Sequence, residues 1–550
     1  MSIRRTSNHS AAESIVDELA RLGLRDVIIS PGSRNAPLVI AAHHHPALKL
    51  MVALDERSAA HIALGMTLEN RRPVAVISTS GTAAVNHGPA LAEAHYAGHP
   101  LISVTADRGV EARQRGHGQT VRQPGLFDAH VRMSLDLDEL SMSEFEMREA
   151  IRESWTELST YPRGPVHVNV PLDEPLYEQA EGTWSQPDAS ELSEVEVVEM
   201  PNDWVDCLCG HSPRVLLLAG GNPDSWLGWS ALEREATASA LCSRVVFWPD
   251  RLSGLANSRS TPYLESLLAH WKGGEWPEEL RPEVVITVGL PPMSKAIREA
   301  LQSFCPVHLH MGGGAWDIWG AGVSEWRIHP RHGLGILAEA LPEQNAFADL
   351  WQVQMDQAQF RSDEERVNVW GDEQVFSDLS AFFMELREPP HAIHFANSTS
   401  VRQMQKVAWP LESRLHANRG VAGIDGCVST AVGDALMNPH RPVVLVTGDT
   451  AWLYDLNGLH VQPFPQNLKI LVIDNAGGDI FRGLPGPMSS GLCEPYFAAP
   501  PKADFRASAE LHGLHWFGQV EEGRLFMNLL TEWYRCNQSS LLVANTRFPH

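Results

Sequence analysis

Val443-Val-Leu-Val-Thr-Gly-Asp449, followed by Thr450, and Leu468-Lys-Ile-Leu-Val-Ile-Asp-Asn475-Ala-Gly477-Gly are the two stretches that decide the fold. Each is a mostly apolar run ending in residues with oxygen-bearing side chains. Such runs, buried on both faces, belong to a parallel sheet covered by helices. Asp449 and Asn475 stand 26 positions apart, the length of one strand–helix–strand unit. Both side chains are therefore expected at the same sheet edge. A carboxylate, an amide oxygen and a backbone carbonyl near Gly477 are hard oxygen ligands of the kind that Mg²⁺ (or Mn²⁺) shares with phosphate. A helix beginning near Ala451 should aim its N-terminus at the same place, which favours a diphosphate. Taken alone, a Gly-Asp strand end with a later Asn also serves as ordinary turn and cap chemistry.

The same alternation runs through the rest of the chain. Strands are expected at Val27–Ile29, Val74–Ser78, Leu101–Asp107, Pro165–Val170, Val215–Ala219, Val245–Trp248, Val284–Val288, Val307–His310, Ala392–Ala396, Pro442–Thr447 and Leu468–Asp474. Helical patterns separate them. The first helix carries a capping-box pattern at Ser10 and Glu13, a stripe of Ile15, Val16, Leu19 and Leu22, and Gly23 at its end. The Glu-, Ser- and Pro-rich stretch from Ala180 to Asn202 reads as a connector, and a second connector is expected between Glu343 and Asp372. The expected architecture is α/β: three doubly wound parallel-sheet domains over 1–180, 200–345 and 370–550.

Composition narrows the function. The 550 residues carry 43 Lys and Arg against 67 Asp and Glu, a net charge of −24, so nucleic acid and anionic membranes are unfavourable partners. No apolar signal core opens the chain and no run approaches a membrane span; seven scattered cysteines do not suggest a disulfide framework. A cytoplasmic location is expected. His43-His-His45, His308-Leu-His310 and Cys207-Leu-Cys209 lack the spaced partners of a zinc site. Val215–Gly221 ends without a full dinucleotide fingerprint.

Leu54-Asp-Glu56-Arg-Ser-Ala-Ala-His-Ile-Ala-Leu-Gly65-Met places an acidic residue at the start of a small-residue helix. Read alone, it stabilises a helix N-terminus. Together with the Gly-Asp-…-Asn pair it resembles the thiamine-diphosphate-dependent enzyme family, although Thr450 stands where Gly is commoner. The resemblance implies thiamine diphosphate as cofactor, with the metal on Asp449, Asn475 and the Gly477 carbonyl. It also implies that Glu56 meets N1′ of the cofactor's aminopyrimidine and so promotes loss of the proton from its reactive carbon. In that family the two outer domains face each other across subunits, so a homodimer or dimer of dimers with interfacial active sites is implied.

The resemblance extends along essentially the whole chain to a branch of the family in menaquinone biosynthesis. It is carried by Ser30-Pro-Gly-Ser-Arg-Asn-Ala-Pro-Leu38, Thr79-Ser-Gly-Thr-Ala-Ala-Val-Asn86, Thr105-Ala-Asp-Arg108, Gln119-Thr-Val-Arg-Gln-Pro-Gly125, Asn418-Arg-Gly-Val-Ala-Gly-Ile-Asp-Gly426 and Tyr454-Asp-Leu-Asn457. That branch decarboxylates 2-oxoglutarate and adds the remainder to isochorismate. Both substrates carry two carboxylates, which suit guanidinium groups. The resemblance assigns substrate contacts to Ser33, Arg34, Arg108, Lys295, Ser398, Arg402 and Arg419, and a polar role near the reacting centre to Gln119. Ile424 is implied as the apolar wedge under the cofactor, and Ile480, Phe481 and Leu484 as walls around the reacting carbon. Gly118 and Ala296 depart from the branch, standing where an Asn-like and a basic residue are expected. Two other readings stay open at this point. One is another thiamine-dependent 2-oxo acid decarboxylase or carboligase; the other is a non-catalytic protein of the same fold that binds an acidic metabolite.

Overall fold

Alternate residues of the central strands enter different hydrophobic clusters, which is how a sheet covered on both faces must behave. In the strand Val74–Ser78, Val74 and Val76 join one cluster while Ala75 and Ile77 join another. Val443 and Leu445 are likewise divided from Val444 and Val446, and Val284, Ile286 and Val288 from Val285. The computed structural model describes residues 4–69, 71–182, 184–185, 198–209, 213–221, 229–255, 267, 271, 276–364 and 369–547.

Three α/β units follow one another, each built on a sheet whose wound strands are all parallel. The first sheet has seven strands, in the order Val461–Gln462, Lys49–Ala53, Asp26–Ile29, Val74–Ser78, Leu101–Asp107, Val166–Pro171 and Met133–Asp136. Only Val461–Gln462, contributed by the last third of the chain, is antiparallel to its neighbour. The central sheet runs Val246–Pro249, Val215–Ala219, Val284–Val288, Val307–Met311, Val323–Trp326. The last runs Arg414–His416, Ala392–Phe395, Val443–Gly448, Leu468–Asp474, Ser540–Asn545, His515–Val520. A small antiparallel pair, Arg4–Ser7 with Gln179–Gly182, closes the first unit.

The first and last sheets share one winding: second strand, first, third, fourth, sixth, fifth. In such sheets the crevice for a ligand opens where the winding reverses, at the C-terminal ends of the first and third strands. In the first unit those ends carry Ser30–Arg34 and Thr79–Thr82. In the last they carry Asn397–Ser398 and Asp449.

These two units share a core within one chain. Helices Glu56–Met66 and Cys427–Met437 cross so closely that a Cβ on Gly65 would lie 2.1 Å from the Thr430 carbonyl oxygen, and one on Gly433 2.0 Å from that of Ile62. Any larger residue at either position would force the helices apart. Residues of both helices and both sheets belong to a single cluster. At its edge Arg414 bonds Glu69 at 2.9 Å and also Asp434, while His391 bonds Glu69 and His394 bonds Asp434, both at 2.7 Å. Glu69, His391 and Asp434 are spaced like metal ligands, but the Arg414 guanidinium already supplies their counter-charge.

Some expectations are corrected. Ser10 and Glu13 form no capping box: the Ser10 hydroxyl and the Ala11 N–H both donate to Glu139, which caps the helix from another segment. The expected second connector holds the helix Ala346–Glu364, and Phe347, Trp351 and Met355 bury against the central sheet. Most of the first connector, residues 183 and 186–197, lies outside the described residues. His308 and His310 both bond the Thr287 hydroxyl at 2.9 Å, as neutral core histidines do.

Candidate active site

Asp449 and Asn475 emerge at the same edge of the last sheet, since their strands run parallel and adjacent. Asp449 is 1% exposed. One of its carboxylate oxygens accepts from the Thr450 N–H at 2.6 Å and the other from the Gly477 N–H at 2.7 Å. Burial pushes this carboxyl above its usual range, and no cationic side chain pairs with it among the described residues. Asn475 donates its amide to Asp372 at 2.9 Å, leaving its side-chain oxygen without a hydrogen bond among the described residues. A buried carboxylate without counter-charge beside a free amide oxygen fits a hard divalent cation. The Gly477 carbonyl accepts from the Asp479 N–H at 2.8 Å, which leaves one of its lone pairs for a metal. The helix expected near Ala451 starts at Asp449 itself and is six residues long.

A tight loop follows. Gly477 has φ +96°, and a Cβ there would lie 2.1 Å from the Ala498 carbonyl oxygen. Arg482, which the sequence reading did not single out, donates to the Asn475 carbonyl at 3.0 Å, the Ala476 carbonyl at 2.8 Å and Glu494 at 2.8 Å. This clamp holds Ile480 and Phe481 half-buried, with the Phe481 ring 5.9 Å from that of Phe497, and leaves Leu484 exposed. Ile424 packs on Ala396, Cys427 and Ala451, beside the strand end that bears Asp449.

Arg402 and Ser398 meet at the end of the strand Ala392–Phe395. Ser398 takes φ +74° and precedes the short helix Thr399–Gln403; Arg402 donates to its carbonyl at 2.6 Å. The neighbouring Asn397, 4% exposed, works from below. It donates to the Asn418 and Gly423 carbonyls at 2.7 and 2.6 Å and accepts from Arg419 at 2.9 Å. On the other side of that loop, Glu93 of the first unit accepts the Gly420 and Val421 N–H groups at 2.7 and 2.8 Å. Complete burial pushes its carboxyl up to about 7. Asn397 and Glu93 together fix Arg419, and neither carries a sequence signal of its own.

Glu56 opens its helix, with Asp55 as the cap accepting from Arg57 and Ser58 N–H groups at 2.9 and 3.2 Å. The Tyr454–Asn457 segment grips this helix start. Asp455 accepts from Ser58 at 3.4 Å and from Ser429, and Asn457 donates to Asp55 at 2.7 Å. The Glu56 carboxylate has no side-chain partner among the described residues, and burial raises it above its usual range.

The remaining first-unit residues cluster at the winding reversal. Gly32 lets the Ser30–Arg34 loop cross Thr79, whose Cβ would lie 2.3 Å from a Cβ at Gly32. Ser33 bonds Tyr177 at 2.8 Å. The Arg34 guanidinium is committed to the Leu172 carbonyl at 2.9 Å and to Glu174 at 3.3 Å. Arg108 donates to the Gly118 carbonyl at 2.7 Å. The next residue, Gln119, is exposed, with φ +60°. Its loop is anchored by the fully buried Gln123, which accepts from Gly81 at 2.8 Å and donates to the Ala106 carbonyl at 3.0 Å. Lys295 is not drawn in: it pairs with Glu299 at 3.1 Å and is 80% exposed.

Comparison with known proteins agrees with this geometry. Residues 9–126 match the thiamine pyrophosphate enzyme N-terminal TPP binding domain, and residues 399–544 the C-terminal TPP binding domain. Relatives along nearly the whole chain carry the name 2-succinyl-5-enolpyruvyl-6-hydroxy-3-cyclohexene-1-carboxylate synthase. The protein from Thermosynechococcus vestitus is 34% identical, over 92% of this chain and 90% of its own. That from Flavobacterium johnsoniae is 31% identical over 94% and 92%, and that from Porphyromonas gingivalis 31% identical over 98% and 95%. At this identity and coverage, with Glu56, Asp449 and Asn475 each at a C-terminal sheet edge, the chain belongs to the thiamine pyrophosphate enzymes and, among them, to the 2-succinyl-5-enolpyruvyl-6-hydroxy-3-cyclohexene-1-carboxylate synthase family.

Proposed function

We propose that this chain decarboxylates 2-oxoglutarate and joins the four-carbon remainder to isochorismate, releasing CO₂ and forming 2-succinyl-5-enolpyruvyl-6-hydroxy-3-cyclohexene-1-carboxylate for menaquinone synthesis. The observation that carries this reading is the buried Asp449 carboxylate without counter-charge, beside the free Asn475 amide oxygen, in a chain of this family. Asp449, Asn475 and the Gly477 carbonyl would hold Mg²⁺ or Mn²⁺, and through it the diphosphate. Thiamine diphosphate, when bound, supplies the carbon nucleophile and the electron sink for decarboxylation and transfer.

The protein's own groups do the rest. Glu56, raised by burial and free of counter-charge, is suited to share a proton with a ring nitrogen of the cofactor. Ser398 and Arg402 would bind the distal carboxylate of 2-oxoglutarate, and Arg419 adds positive charge beside them. Ile424, Ile480, Phe481 and Leu484 would keep water from the reacting carbon. A dry wall favours loss of CO₂, because charge is consumed in that step.

On this reading the complete site would lie between two subunits. Leu54, Val85 and Tyr454 lie exposed on the shared outer units, as do Leu484 and Tyr496. Such apolar surface fits burial against a second copy. Cys207, Cys242, Cys305, Cys427, Cys493 and Cys536 are free thiols and no described helix is long and apolar enough to cross a membrane, which fits work in the cytoplasm. The test is incubation with isochorismate and 2-oxoglutarate, with and without thiamine diphosphate and Mg²⁺. Loss of isochorismate together with CO₂ release, only when both are added, is expected. No product in the complete mixture overturns the reading.

A further inference from the structure

We infer that Arg482 is a positioning residue that decides how many decarboxylations end in transfer to isochorismate, because it locks the apolar wall of the site to the strand end that bears Asn475. The inference rests on the function proposed above and goes beyond it to the fate of the four-carbon remainder.

An arginine presents five N–H donors in a planar fork. At Arg482 all of them are spent within the protein. Nε and one Nη2 proton form a fork on the Glu494 carboxylate, at 2.8 and 2.9 Å. The other Nη2 proton goes to the Ala476 carbonyl at 2.8 Å, and Nη1 serves the Asn475 carbonyl at 3.0 Å and Asp479 at 3.3 Å. With every donor engaged, Arg482 has none to offer a substrate carboxylate, so its part is to hold other groups in place. An ordinary surface ion pair leaves most of its donors in water and contributes little. This side chain is only 21% exposed and fastens two segments to each other.

The first segment is the turn after the strand Leu468–Asp474, where Ala476 (φ +65°) and Gly477 (φ +96°) are both left-handed. Alanine persists in that region only where its surroundings over-determine it. Arg482 grips the carbonyls on both sides of the Ala476 Cα, and so fixes the turn that presents Asn475 and the Gly477 carbonyl. The second is the helical segment Cys493–Ala498, which carries Glu494 and closes over that turn. Its Ala498 carbonyl accepts from the Gly478 N–H at 2.7 Å. A Cβ on Gly478 would lie 2.8 Å from both the Phe481 ring and the Phe497 carbonyl oxygen. Ile480 and Phe481 stand between these anchors, in the single turn Asp479–Phe481 directly before Arg482.

The wall governs a competition. Once CO₂ has left, the four-carbon remainder has two fates. It forms a carbon–carbon bond to isochorismate, or it takes a proton from water, leaving hydroxide, and departs as succinic semialdehyde. The second path releases one CO₂, consumes no isochorismate and needs no oxidant or reductant. Water exclusion suppresses such leakage, and exclusion fails if the wall is free to swing away from the strand end.

The test measures CO₂, consumed isochorismate and succinic semialdehyde in one reaction of the holoenzyme with both substrates saturating. In the wild type the ratio of CO₂ to consumed isochorismate should be near one. In Arg482→Ala it should rise to about ten or more, since a misplacement of about 1 Å can cost about 10²-fold in the step that depends on it, with succinic semialdehyde making up the difference. Arg482→Lys should recover little, because the charge returns without the fork. Glu494→Gln, which leaves Arg482 in place, should raise the same ratio and carries the test if Arg482→Ala does not fold. Hydrogen exchange of the 493–498 amides, measured without cofactor or substrate, should be faster in both variants. A ratio that stays near one while CO₂ release and isochorismate consumption fall together would make Arg482 merely structural and overturn the inference, as would full recovery by lysine or unchanged exchange. Failure of the wild-type enzyme to consume isochorismate would instead overturn the proposed function, so the two failures are distinguishable.

Discussion

Gly477 donates its backbone N–H to the Asp449 carboxylate at 2.7 Å, and this bond ties the loop after one strand to the end of its neighbour. The approach depends on glycine twice over, because φ is +96° and the Ala498 carbonyl occupies the place of a Cβ. Asp449 thus has two tasks. It shapes the loop that presents Asn475, and on the proposed function it would supply negative charge to the cation beside the diphosphate.

Asp449→Ala should remove both at once. Affinity for thiamine diphosphate in the presence of Mg²⁺ should fall by at least about 100-fold, equivalent to ~2.7 kcal/mol. Calorimetric titration of the mutant reads this directly. Wild-type affinity would show that the metal lies elsewhere.

Glu56→Gln keeps the volume and one hydrogen-bonding group but loses the acid. Exchange of the cofactor's C2 proton should slow by about 10²–10⁴-fold, the range for loss of a positioned proton-transfer group. The Asp55 cap and the Asp455 contact to Ser58 do not involve the Glu56 side chain, so the fold should survive. Deuterium exchange followed by NMR is the measurement. An unchanged rate points to a different glutamate.

How much of this was legible in the sequence depends on where each strand lies. Interior strands such as Val74–Ser78 and Leu468–Asp474 are apolar on both faces and announce themselves. Arg414–His416, Met133–Asp136, Val323–Trp326 and His515–Val520 are edge strands with polar residues, so no continuous apolar run marks them. Ser540–Asn545 is interior and apolar, and the same rule would identify it. In the candidate site, Asp449 and Asn475 were legible as strand ends, and Glu56 and Ser398 through the family resemblance. Their supports were not. Asp372 acts on Asn475 across 103 positions and Glu93 on Gly420 across 327, distances over which spacing carries no information. Helical phase leaves Lys295 outward, and only the packing of Ile297, Ala300 and Leu301 fixes it.

Arg414→Ala tests the shared core of the outer units. It would leave Asp434, buried and held well below the usual carboxylate range by Arg414 and His394, without its main counter-charge. Breaking such a buried pair typically costs about 3–5 kcal/mol. Urea unfolding should show a loss of that order. Arg414→Ala with Asp434→Asn should recover part of it by removing the stranded charge. If the single mutant is as stable as wild type, the ion pair does not hold the two units together.

On the proposed function Arg402 would decide substrate choice through one carboxylate. Its Nη1 donates to the Ser398 carbonyl at 2.6 Å, so the side chain is folded back over the strand end. The guanidinium nonetheless remains exposed, with donors to spare for an incoming anion. A charge-assisted pair with the distal carboxylate of 2-oxoglutarate contributes roughly 1.5–3 kcal/mol, about one to two orders of magnitude in kcat/KM. Arg402→Ala should lower kcat/KM for 2-oxoglutarate by that much. Thiamine diphosphate affinity should stay within about twofold, because the proposed cofactor anchors, Asp449 and Asn475, stand at other strand ends. Pyruvate lacks the distal carboxylate, so its slow decarboxylation should change little and the preference between the two acids should narrow. Decarboxylation of both acids by wild type and mutant is the measurement. An equal loss for both would mean that Arg402 holds the carboxylate they share, or only the Ser398 turn.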